Sequence, residues 1–105
     1  MVEIFWTDEA YRTYDAELDF INKKWNLAEV VNFDKLVDDF INILKTGVLQ
    51  GKQFSNTNTY SFVISKQTTV YYNVYNLGTK INLLLFWNNK RDPKYLEEFL
   101  NTDGP

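Results

Sequence analysis

The 105-residue chain contains no cysteine and no histidine. Without cysteine there are no disulfides, no thiolate nucleophile and no cysteine-bound zinc. Without histidine the usual acid–base group of neutral pH and the commonest metal ligand are both missing. No apolar stretch approaches the ~20 residues that span a bilayer, and MVEIFWTDEA lacks the basic start and apolar run of a signal peptide. The expectation is a cytoplasmic protein with no membrane role. A phosphate loop, a nucleophile elbow and metal-ligand spacing are absent as well. No cofactor or metal is expected. Asp38 and Asp39 adjoin on the wet side of a helix, so they diverge and do not form a glycosidase-like acid pair.

What is present is apolar and aromatic. Hydrophobic residues make up 45% and aromatic residues 17%, enough for one domain with one core. Tyrosine is telling because it joins an apolar body to a polar tip. The net charge of −3 hides a segregation: residues 1–50 carry ten acids and five bases, whereas residues 51–94 carry six bases and the single acid Asp92. Ordinary surface solvation and a basic recognition face both fit that pattern.

Periodicity assigns the elements. VEIFW at 2–6 reads as a strand. Thr7 caps a helix whose first turn holds Asp8 and Glu9, and Tyr11, Tyr14, Leu18, Ile21 and Trp25 define its packing face. Asn26 and Glu29 form a capping-box pattern at the start of a second helix, with Val30, Phe33, Val37, Phe40 and Leu44 as its stripe and Gly47 as its stop. The short gap predicts a helical hairpin. Residues 48–58 read as a polar loop. TYSFVIS (59–65), TTVYYNVY (68–75) and KINLLLFW (80–87) read as three strands joined by tight turns. The last is apolar on both faces over its second half, as a central strand would be. Asp92-Pro93 opens a short helix with Tyr95, Leu96, Phe99 and Leu100 on its packing side, and 101–105 reads as a frayed tail. The prediction is a single α+β domain over 1–105, ordered β-α-α-β-β-β-α, with the hairpin packed on a small, mostly antiparallel sheet.

Three stretches carry a family likeness: VEIFWTDEA, VISKQTTVYYNV and INLLLFWNNKRDPKYL. In their order and spacing the chain resembles the RelE/ParE superfamily of toxins from bacterial type II toxin–antitoxin modules, the plasmid-stabilisation systems. The resemblance implies one of two activities. RelE-like members cut messenger RNA in the ribosome with a spread basic set; ParE-like members block DNA gyrase without catalysis. It also implies a cognate antitoxin as partner, with a homodimer as a further assembly. Alignment on YYNV puts Tyr60 and Phe62 where the RNA-cutting members have lysines, and Thr69 where they have an arginine. Lys90 or Arg91 stands in for an arginine after the last strand, and Tyr95 for a tyrosine of the last helix. The loss of strand cations and the long helical pair favour the ParE-like, non-catalytic branch. On that reading Trp87, Lys90, Arg91 and Tyr95 contact the target or antitoxin. The rival reading is an RNA endonuclease using Lys66, Lys90, Arg91 and Tyr95. A third is an inactive relative that only binds an antitoxin. Alternatively, Arg91 merely pairs with Asp92 or a helix acid.

Overall fold

The computed structural model describes residues 2–102. Strand β1 (Glu3–Trp6) leads into helix α1 (Asp8–Lys24) and helix α2 (Leu27–Lys45). A two-residue strand β2 (Lys52–Gln53) precedes β3 (Thr59–Ser65), β4 (Thr68–Tyr75) and β5 (Lys80–Asn88), and helix α3 (Pro93–Thr102) follows. The predicted α+β order therefore holds, with one strand added. Residues 48–58 are not wholly loop: Lys52 and Gln53 pair antiparallel with Ser61 and Tyr60. Two residues are too few for a periodic signal, which is why the sequence does not announce them.

The sheet runs β1-β5-β4-β3-β2. β5 lies between β4, antiparallel to it, and β1, parallel to it in the register Glu3↔Lys80 to Trp6↔Leu83. It is buried on both faces, as its double-sided apolar sequence requires. One face packs under the hairpin through Phe33, Val37, Phe40 and Leu44 of α2, with Val70, Tyr72, Ile81, Leu83 and Phe86 from the sheet. The other face meets α3 through Leu84, Leu85, Trp87 and Leu96.

The caps are those the sequence calls for. The Thr7 hydroxyl accepts the Ala10 N–H at 3.1 Å, and Asn26 Oδ1 accepts the Glu29 N–H at 3.0 Å. The stripe of α2 is buried as predicted, with Val30 partly so. The predicted face of α1 holds in part: Ile21 is buried, and Tyr14 and Leu18 pack against the core. The buried residues of the helix are Ala10, Thr13, Glu17 and Ile21, whereas Tyr11 and Trp25 are exposed. The stripe is rotated because β1 stops at Trp6 and leaves the next stretch of β5 without a strand beside it. Side chains of α1 and of its Thr7 cap fill that role: Thr7 Oγ1 donates to the Leu83 and Leu84 carbonyls at 2.8 and 3.1 Å, and Thr13 Oγ1 accepts the Phe86 N–H at 2.9 Å. A buried N–H must find a partner, and here a polar side chain on the inner face supplies it. At the C-terminal end, α3 extends over Asn101 and Thr102, which the sequence reading gave to a tail. Residues 103–105 of that tail lie outside the described residues.

Candidate functional site

The apolar run of β5 ends in Asn88-Asn89-Lys90-Arg91, and the two amides explain the abrupt change. Asn88 is buried. Its Nδ2 donates to Glu17 Oε1 at 3.3 Å and its Oδ1 accepts the Lys90 N–H at 3.0 Å, which turns the chain out of the sheet. Asn89 staples that exit to the β3–β4 turn. Its N–H donates to the Gln67 carbonyl at 2.7 Å, its Nδ2 to the Lys66 carbonyl at 3.3 Å, and its Oδ1 accepts the Thr69 hydroxyl at 2.9 Å. Asp92 then opens α3 by accepting the Lys94 N–H on Oδ1 at 2.9 Å.

Beneath this corner lies Glu17, 5% exposed. Thr68 Oγ1 donates to its Oε2 at 2.5 Å. Burial pushes the Glu17 pKa above the usual carboxylate range; the Thr68 and Asn88 hydrogen bonds and the field of Arg91 act in the opposite direction. Arg91 therefore does have a helix acid in its field, the buried Glu17.

The predicted contact residues divide into two groups. Trp87, Arg91 and Tyr95 come together on the α3 side, but Trp87 is buried beneath that helix, so it backs the other two and is not itself a contact residue. The two rings stack with centroids 5.8 Å apart, and the guanidinium carbon of Arg91 lies 4.8 Å from the Trp87 centroid and 5.3 Å from that of Tyr95. Such a stack holds a cation in a fixed place without neutralising it. Arg12 stands nearby, its pKa raised first by its hydrogen bond to Glu9 and further by the Tyr95 phenol. Lys66 and Lys90 instead line a cavity of about 450 Å³ between the hairpin end and the β3–β4 turn, shared with Ile21, Trp25, Phe33 and Leu36. The four residues of the endonuclease reading thus do not converge: two lysines face the cavity, and the arginine and tyrosine belong to the stack.

The strand positions matched to catalytic lysines face inward. Phe62 stacks on Phe40 at 4.9 Å and Tyr60 on Tyr72 at 5.4 Å. Alternation puts Ser61 and Val63 on the opposite face of β3, and neither is charged. Whichever face is compared, β3 offers no cation to a phosphate. Thr69, at the arginine position, is occupied by Asn89.

Sequence reasoning missed Trp25 and Lys24 as neighbours of this corner. The Lys24 ammonium lies 5.0 Å from the Trp25 centroid, and its pKa is lowered first by close approach to Lys90. The signal is absent from the sequence because the two lysines are 66 positions apart. Among the described residues no group of acids could hold a metal ion.

No protein-family model matches the sequence, and no curated protein matches it. Solved structures do. A chain of the chromosomal ParDE TA system from P. aeruginosa superposes with a TM-score of 0.66 at 13% identity, over 84% of this chain and 96% of that one. A YoeB/ParE toxin from Agrobacterium tumefaciens superposes with a TM-score of 0.56 at 13% identity, over 83% and 98%.

Proposed function

We propose, from the premise that this chain has the fold of RelE/ParE-superfamily toxins, that it is the toxin of a toxin–antitoxin module. On this reading it acts as a ParE-like, non-catalytic inhibitor of DNA gyrase and is neutralised by a cognate antitoxin. The observation that carries the branch is the uncharged β3, set beside the likeness to the ParDE chain. RNA cleavage needs several preorganised cations around the phosphate, and loss of one such donor costs roughly 3 kcal/mol of barrier. Here the strand cations are absent and the remaining four candidates point to two different places. Arg91, fixed over the buried Trp87 and beside the exposed Tyr95, suits recognition: a positioned cation next to an exposed aromatic ring is the usual chemistry of an interface anchor.

The test is a supercoiling assay with purified protein. Inhibition of gyrase is expected, and Arg91→Ala should weaken it at least tenfold while leaving the fold intact. No inhibition at saturating protein discards gyrase as target. Messenger RNA cut in a translating extract, and spared by Lys66→Ala with Lys90→Ala, would establish the endonuclease reading instead.

A further inference from the structure

The cavity beside the β3–β4 turn is not used by the stack proposed above. Its floor is apolar: Ile21 and Phe33 belong to the core, and Leu36 continues that surface outward. Trp25 forms one wall. Its backbone N–H donates to the Ile21 carbonyl at 2.9 Å at the end of α1, and its ring makes an edge contact with Phe20 at 6.4 Å. The opposite wall is residues 65–67 with Asn89 and Lys90, and the three Asn89 hydrogen bonds make that wall rigid.

Two features of this wall lack a partner among the described residues. The Ser65 hydroxyl is buried, and no hydrogen bond to it is found among the described residues. It follows a register shift between Val63 and Ser65, the kind of irregularity that re-aims a side chain beside a site. The second feature is charge. Lys66 and Lys90 line the same cavity against a single acid, Glu29, and Lys24 is crowded onto Lys90. Like charges brought together are unfavourable unless an anion is shared between them. An apolar floor, an indole wall, a few fixed polar groups and an excess of cations form the usual lining of a small-molecule site, and about 450 Å³ falls within the usual size range.

We propose that this cavity binds a small amphipathic acid: a flat apolar body, seated against Trp25, Phe33 and Leu36, bearing one carboxylate or phosphate held by Lys66 and Lys90. The inference is independent of the gyrase reading, since it uses neither Arg91 nor Tyr95.

Calorimetric titration with 2-naphthoate, 2-naphthyl phosphate and neutral 2-naphthol tests it. One of the two anions should bind with one-to-one stoichiometry and at least tenfold more tightly than naphthol, and the preferred anion identifies the head group. Lys66→Gln with Lys90→Gln should erase that preference. Leu36→Trp keeps the lysines and fills the floor, so it should abolish binding of all three, with circular dichroism showing an unchanged fold. Equal affinity for naphthol, or unchanged anion binding in either variant, overturns the proposal. So does equally tight binding of hexaglutamate, which would reduce the site to surface cations.

Discussion

Glu17 and Thr13 are polar residues on the buried face of α1, and both are there because β5 needs them. Thr13 Oγ1 is the partner of the Phe86 N–H, in a position where a strand would otherwise sit. Thr13→Val removes that acceptor without opening a cavity, and an orphaned buried donor costs about 1–3 kcal/mol. Urea denaturation should show a loss of that size, largely restored by Thr13→Ser. Glu17 holds Thr68 and Asn88, and so the turn that directs Lys90 and Arg91 outward. Its raised pKa means that the folded protein takes up its proton more readily than the unfolded chain does. Between the ordinary carboxylate value and the folded value, its contribution to stability falls as pH rises. Glu17→Gln keeps the shape and abolishes the charge. It should be more stable than the native protein at pH 7, and the difference should shrink on acidification as Glu17 protonates. Glu17→Ala, which strands both partners, should lie about 2 kcal/mol below the glutamine variant at pH 7.

Elements are the scale at which the sequence spoke most clearly. The α2 stripe, the three-strand meander and the Asp92-Pro93 start of α3 were all legible, because each burial pattern repeats over several residues. Two misreadings have physical causes. Hydrophobicity alone places Tyr11 and Trp25 inward, yet hydrogen bonding to β4 and β5 turns α1 toward Thr13 and Glu17. Strand β2 was hidden by its brevity, and what permits it is Gly51. At φ +86° a Cβ there would lie 1.9 Å from the Ser61 carbonyl oxygen, so the approach of this segment to β3 requires glycine. Gly47, at φ +91°, stands in open space. Gly51→Ala should therefore cost about 3 kcal/mol and free β2 from the sheet, whereas Gly47→Ala should cost only about 1 kcal/mol. Thermal melts compare the two, and amide exchange of β3 distinguishes their causes.

At the scale of the whole molecule, the candidate sites were legible only in part. Trp87, Arg91 and Tyr95 are close in sequence, and an exit followed by a helix brings such residues together almost by itself. The pairing of Lys66 with Lys90 depends on the β4–β5 register, Thr68↔Asn88, which no local pattern encodes. The same register-dependence runs through the sheet, since β5 is held on one side by β4 and on the other by the first strand of the chain. Deletion of residues 2–6 should uncover that inner edge and remove Trp6 from its stack on Phe86, 5.4 Å away. The expected result is loss of a single cooperative melting transition together with a rise in light scattering; a soluble protein with an unchanged melt would contradict it. The place of β5 has a further meaning for the life of such a molecule. A chain broken off before Lys80 owns both flanks of a sheet and nothing to join them. It would be a failed product rather than a weakened one, because neither half of the sheet can close without the strand between them.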